Sequence, residues 1–268
     1  MAIIKTISKI PIIGLILRKC LSFANCTVAP LFISQRFEHI KELKGKYIGK
    51  RCFIIATGPS LKIEDLEKLN NEICLSCNSI VKLLEKTTWR PDYYFMYDKD
   101  AFLRIKDEII AKECYLKNFY HPYEWSYSSA ISKPFILKHK AWYTDGQQKF
   151  LQKVGFDKLG FSKDVHNHLE QGGNVVHIMM QFALYMGFKE IYLLGCDCSY
   201  LENQTHAEGI AYNMPASYDA ERSARVVKAD YELEKEILQK EGVKVFNATR
   251  GGFLEIFPRI DLDDVLKN

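Results

Sequence analysis

Polar residues suited to chemistry gather at the ends of four apolar runs. Thr57-Gly58-Pro59-Ser60 stops the run Cys52–Ala56, and Asn78 stops Ile73–Cys77. Asp98-Lys99-Asp100 follows Tyr93–Tyr97, and Gly195-Cys196-Asp197 ends the run in KEIYLLGCD. Continuous apolar runs bounded by Gly and Pro read as strands covered on both faces, as in a parallel sheet. The carboxyl ends of such strands share one edge, and ligands of open α/β sheets bind there. Gly58 would let a ligand approach the backbone closely. Ser60 would cap the next helix, whose amino end favours a phosphate. Gly172-Gly173-Asn174 opens a second helix with amides suited to a phosphate or carboxylate. Each group also has a plain structural counterpart, a strand-to-helix turn or a helix cap. The site reading rests on several such ends sharing one edge.

The proton and metal chemistry available is narrow. Asp98-Lys99-Asp100 fits a D-x-D pattern that can hold a divalent cation. Asp197 could hydrogen-bond a ribose or sugar hydroxyl, or ligate Mg²⁺. Asp98, Asp100 and Asp197 are therefore the ligands to expect if the reaction uses Mg²⁺. His206, in the polar loop NQTHAEG, is the candidate general base, with an ordinary surface histidine as the alternative. His166 and His168 are weaker candidates, and His177, within an apolar helix, is expected in the core. No Lys-Ser/Thr pair follows the glycines at 58 or 172, which excludes a P-loop, and no G-x-G-x-x-G occurs there.

The elements that must position these groups alternate strand and helix from Lys50 onward. Expected strands are Arg51–Ala56, Ile73–Cys77, Tyr93–Tyr97 and Cys114–Tyr120, then those within KEIYLLGCD and VKVFNAT. Expected helices include Leu61–Leu69, Ser79–Lys86, Ala101–Glu113, the run after Gly172-Gly173 and DAERSARVVKADYELEKEILQKEG. Alternation of this kind implies βαβ units and a mostly parallel, Rossmann-like α/β sheet with helices on both faces. Residues 46–268 are expected to form that domain, with 1–45 an appendage. Residues 121–165, aromatic-rich and without clear period, are expected to be a lid or acceptor insertion.

The chain has 268 residues, 47% hydrophobic and 26% charged, enough for one domain with a sizeable core. A net charge of +4 permits an anionic substrate and is too small to argue for nucleic acid. Of the eight cysteines, Cys52, Cys74 and Cys77 lie in strand-like runs and Cys196-x-Cys198 lacks zinc-type spacing, so they read as reduced thiols in a cytoplasmic protein. The N-terminal run MAIIKTISKIPIIGLILRKC is basic and apolar but too short to span a bilayer. Residues 1–30 suit either peripheral contact with the inner face of a membrane or packing on the core or a partner subunit, which admits a homo-oligomer.

GKRCFIIATGPSL, GGNVVHIMMQFALYMGFKEIYLLGCDCSY and VKVFNATRGGFLEIFPRIDLDDVL together resemble the family named for the archaeal 6-hydroxymethylpterin diphosphokinase MptE. That family also supplies a domain to motility-associated flagellin glycosylation proteins. The resemblance covers roughly residues 46–110 and 165–265. More remotely, the chain is similar to the bacterial CMP-sialic-acid sialyltransferases, in the G-P-S-L loop, the C-N at Cys77-Asn78 and the wording MGFKEIYLLGCD. The resemblance implies a single GT-A-type nucleotide-binding domain. It implies that Thr57, Gly58 and Ser60, around Pro59, line the donor's phosphate and sugar. It also implies that Asn78 contacts the nucleotide-sugar, that Asp98 stands at a second donor-binding position, and that the region from Asn174 faces the cytidine. Ser199, Tyr200 and Tyr212 fall where those enzymes hold the leaving phosphate. Near their catalytic histidine this chain has Arg225, which leaves His206 to serve as base.

The expected function is that of a glycosyltransferase. It would move a nucleotide-activated sugar, CMP-linked in the remote likeness, to a cell-surface glycan or lipid-linked acceptor by direct inverting displacement, needing no cofactor. The alternatives are an Mg²⁺-dependent diphosphokinase moving pyrophosphate from ATP to a pterin-like alcohol, and a non-catalytic nucleotide-fold module.

Overall fold

The computed structural model of this protein describes residues 37–125, 127–138, 160–199, 206–210 and 219–267. Four consecutive buried side chains, Cys52–Ile55, can be buried together only in a strand covered on both faces. That strand, β1 (Arg51–Ile55), is an interior strand of a seven-stranded sheet. The others are β2 (Cys74–Cys77), β3 (Tyr93–Phe95), β4 (Phe119–Pro122), β5 (Ser132–Phe135), β8 (Glu190–Leu194) and β9 (Lys244–Asn247). Their order is β5-β4-β3-β2-β1-β8-β9, and every pair is parallel. A separate two-stranded parallel ribbon joins β6 (Leu137–Lys138) to β7 (Leu169–Glu170).

Two apolar clusters cover the two faces. One packs Cys52, Ile54, Leu75 and Phe95 against α4 (Val175–Met186) and α5 (Ala220–Lys240). The other packs Phe53, Ile55, Cys74 and Tyr94 against α2 (Ile63–Glu67), α3 (Lys99–Ala111) and α6 (Leu262–Leu266). Alternate residues of each strand feed opposite faces, so both clusters share the strands. α4 is apolar on every side and almost wholly buried; Asn174 caps its start and Gly187, at φ 89°, ends it in the left-handed conformation.

The Rossmann-like, mostly parallel α/β expectation holds, and several local expectations are corrected. Asn78–Leu83 is a 3₁₀ turn in place of the helix expected over Ser79–Lys86. The fourth strand begins at Phe119, because Glu113–Tyr115 closes a 3₁₀ turn first. Of residues 121–165, Ser132–Phe135 adds an edge strand to the main sheet rather than part of a lid, with Pro134 tolerated at that edge. The described aromatics there pack inward: Trp125 stacks on Phe102 at 4.7 Å. Residues 139–159 of that segment lie outside the described residues, as does the N-terminal stretch 1–36. Phe37, Ile40 and Leu43, assigned above to the appendage, are buried in the main core beside α1 (Glu38–Lys41). The described cysteines are free thiols, with Cys52, Cys74, Cys77 and Cys196 buried. Among the described residues no helix is long and apolar enough to cross a membrane.

Candidate functional site at the carboxyl edge of the sheet

Strand order reverses at β1. The chain leaves β1 for β2 through α2 on one face and enters β8 from α4 on the other. In open α/β sheets the crevice at that reversal, outside the carboxyl ends of the strands, is the ligand site. The backbone marks the same place. The described non-glycine residues with left-handed φ are Asn78 (49°), at the end of β2, and Cys198 (55°), just past β8. These two strands flank β1 on either side. Such conformations cost free energy and persist where the surroundings impose them, often at ligand sites. Tyr94 Oη helps hold the first, donating to the Asn78 carbonyl at 2.6 Å.

The loops after β1 and β8 are clamped to each other. Ser60 donates to Asp197 twice, from its amide to Oδ1 at 3.1 Å and from Oγ to Oδ2 at 2.9 Å. The Gly58 amide donates to the Gly195 carbonyl at 2.9 Å. A Cβ on Gly58 would lie 2.0 Å from Asp197 Oδ2 and 2.5 Å from the Gly195 oxygen. Two expectations change here. Gly58 is bare to admit Asp197, and Ser60 does not cap α2, whose N-cap position is Lys62 with no side-chain bond. The Asp197 carbonyl also accepts from the Phe253 amide at 2.7 Å, so the loop after β9 joins the clamp. Burial raises the Asp197 pKa, and the Ser60 hydrogen bonds and the Arg259 charge oppose the rise. Gly58→Ala is expected to prise these loops apart at a cost of about 1–3 kcal/mol, read as a lowered midpoint in urea. Ser60→Ala should cost a similar ~1–3 kcal/mol by stripping partners from a buried carboxylate, and it should raise the Asp197 pKa further, measurable by carboxyl NMR.

The second helix opening is also used internally. The Gly173 amide donates to the Asp230 carboxylate of α5, Asn174 Oδ1 accepts from the His177 amide, and Asn174 Nδ2 reaches Tyr231 Oη at 3.3 Å. The Gly172 carbonyl accepts from Tyr97 Oη, beyond β3, at 3.0 Å. The free amides expected at Gly172-Gly173 are thus replaced, at Gly173, by a tie between α4 and α5. A Cβ on Gly172 would meet His177 Cβ at 2.4 Å, so that glycine serves helix packing. His177 is a core residue, as expected. It is paired with Glu234, an acid that sequence reasoning passed over because α5 reads as an ordinary amphipathic helix.

His206 comes to the β1 end. The next residue, Ala207, donates its amide to the Thr57 carbonyl at 3.0 Å, and Ala207 and Ile210 are buried in the cluster that holds Ile80 and Val81. Burial, and then the charge of Lys82, lower the His206 pKa below its ordinary 6.5. Lys86 lies close by: its Nζ would be 3.2 Å from a Cβ on Gly209. Lys82, on the 3₁₀ turn after Asn78, was not among the sequence candidates; its position three residues past a buried serine carries no sequence signal. Ser199 is buried just after Cys198. Tyr200 and Tyr212 lie outside the described residues.

The candidate metal ligands are not gathered. Asp98 Oδ1 caps its own helix, accepting from the amides of Asp100 and Ala101. Asp98 and Asp197 leave strands three positions apart in the sheet, about 14 Å at ordinary strand spacing. Among the described residues no group of three His, Cys, Asp or Glu is placed to hold a metal ion. The Asp98, Asp100 and Asp197 set therefore does not fit one Mg²⁺ shell.

Fold and edge together define a doubly wound, parallel α/β domain whose reversal point is built from the loops after β1, β2 and β8. The family model described as 6-hydroxymethylpterin diphosphokinase MptE-like matches residues 31–203, and the chain belongs to that family. In fold the chain is similar to the MAf glycosyltransferase from Magnetospirillum magneticum AMB-1, with a TM-score of 0.51 at 13% sequence identity. The likeness covers 82% of this chain and 35% of that one, so this chain spans about a third of that protein's length. No curated protein matches.

Proposed function

We propose that this protein is a glycosyltransferase that uses a nucleotide-activated sugar, CMP-linked, to modify a glycan or lipid-linked acceptor. The observation that carries the reading is the docking of the His206 loop on Thr57, in the apolar cluster that holds Ile80 and Val81 just past the strained Asn78. That puts a histidine with a lowered pKa at the edge where a donor would lie. The family membership and the fold likeness to a protein titled a glycosyltransferase support the same class. In the reaction, neutral His206 takes the proton from an acceptor hydroxyl. That oxygen bonds to the anomeric carbon as the bond from carbon to the donor phosphate oxygen breaks. The electron pair leaves on the nucleotide phosphate, and configuration inverts. Ser199 stands for contact with that phosphate, with Tyr200 and Tyr212 from the resemblance. Asp197 acts as a positioning residue, holding the Thr57–Ser60 loop. No metal ion is needed.

The second reading is a diphosphokinase that moves pyrophosphate from ATP, favoured by the printed description of the family. It would need Mg²⁺, and the carboxylates do not gather for it. Calorimetric titration with CMP, UDP and ATP, each with Mg²⁺ and with EDTA, separates the two. We expect CMP to bind with an affinity that EDTA leaves unchanged. Binding of ATP alone, abolished by EDTA, would overturn the glycosyltransferase reading. The third reading, a non-catalytic module, would be favoured by the absence of any nucleotide binding.

A further inference from the structure

Two lysines, Lys82 and Lys86, gather about the 206–210 loop that docks on Thr57, and neither belongs to the clamp around Asp197. Lys82 belongs to the 3₁₀ turn Asn78–Leu83 that begins at the left-handed Asn78. Its charge is near enough to His206 to oppose protonation of the imidazole. Lys86 follows on the same segment and approaches Gly209, three residues past His206. The 206–210 loop is anchored to β1 by the Ala207–Thr57 hydrogen bond and by burial of Ala207 and Ile210. The cations are therefore held by two anchored segments that meet at the carboxyl ends of β1 and β2. Neutralisation inside the group is slight. Lys82 approaches Glu108 only at 3.8 Å, with both side chains partly exposed, a type of pair worth little. The neighbouring Glu85 is paired with Lys112 at 3.1 Å. A second feature points to a ligand. Ser79 Oγ is fully buried in the same turn and has no hydrogen-bond partner among the described residues, and a hydroxyl buried without a partner costs free energy unless a ligand or water satisfies it.

We propose that Lys82 and Lys86, with the unpartnered Ser79 hydroxyl of the same segment, form the subsite for the phosphate of the nucleotide. This inference deepens the function proposed above and rests on it. Cations on the β1–β2 side would neutralise the charge that gathers on the phosphate as the sugar departs. They would also keep His206 neutral and ready to accept the acceptor's proton. The base and the electrostatic support for the leaving group would then come from one pair of adjoining segments.

The test compares CMP, cytidine and inorganic pyrophosphate by calorimetry on the full chain, with Lys82→Ala, Lys86→Ala and the corresponding Arg variants. Both lysines are partly or fully exposed, so the variants should fold, and circular dichroism checks this. Expected is a drop in CMP affinity of about tenfold for each Ala variant at low salt. Cytidine affinity should be unchanged, the Arg variants should recover binding, and the drop should shrink as salt rises. Ala variants that bind CMP like the wild type, with the preference over cytidine intact, would overturn the subsite while leaving the glycosyltransferase reading standing. A wild type that binds pyrophosphate through these lysines but discriminates among no nucleotides would retain the anion site and overturn the glycosyltransferase reading. Binding of neither CMP nor pyrophosphate by the wild type overturns both.

Discussion

Glu234→Ala is expected to lower stability by about 3–5 kcal/mol, a fall in melting temperature on the order of 10 °C for a domain of this size. His177 Nδ1 lies 2.6 Å from Glu234 Oε1, and both side chains are fully buried. His177 Nε2 lies 3.0 Å from the Gly160 carbonyl. A carbonyl can only accept, so Nε2 must carry its hydrogen there, and the proton of the pair is shared between Nδ1 and the carboxyl. Removing the carboxyl leaves a buried ring nitrogen without that partner and opens a cavity between α4 and α5. Glu234→Gln keeps the volume and one polar partner, so its loss should be smaller, about 1–2 kcal/mol. Urea denaturation followed by circular dichroism reads both variants. Glu234→Ala at wild-type stability would show that the pair holds nothing. The pair also bears on the site: Gly172 packs directly on His177, so a displaced ring would disturb the Gly172–Asn174 opening.

His206→Ala should reduce sugar transfer by about 10²–10⁴-fold, with the folded state and CMP affinity retained. The pH dependence follows from the direction of the shift. Burial and the Lys82 charge lower the folded-state pKa below 6.5, so the neutral base persists to more acid pH than a free histidine would. The acid limb of kcat/KM should therefore fall below pH 6.5 and vanish in the Ala variant. Removing the Lys82 charge should move that limb upward. The same shift is linked to stability: as pH drops below 6.5 the unfolded chain takes up a proton that the folded chain resists, so stability is lost toward acid. Full turnover in His206→Ala would assign the base elsewhere.

Much of the fold was legible because local pattern carries it. Cys52–Ile55 and Ile191–Leu194 are continuous apolar runs, and each can be placed as a strand without knowing its neighbours. Asn174 and Gly187 mark the two ends of α4 by cap chemistry alone. The stretch after Lys112 was harder. Ser132–Phe135 contains a Pro and little alternation, and only the exposed ladder of β4 makes it a strand. Phe37, Ile40 and Leu43 read as an appendage because their burial depends on a core built from residues far along the chain.

The candidate site divides in the same way. From sequence alone it follows that polar groups stand at 57–60, 78, 98 and 195–197 past strand ends, and that parallel strands bring those ends to one edge. Which of them meet is decided by sheet order. Ser60 and Asp197 are 137 residues apart, and they touch because β8 inserts next to β1. Asp98 stays away because two strands, β2 and β1, stand between β3 and β8. No local pattern encodes strand order. It follows from how the two apolar faces of the sheet are covered by helices drawn from the whole chain, and those long-range contacts exist only in the folded protein.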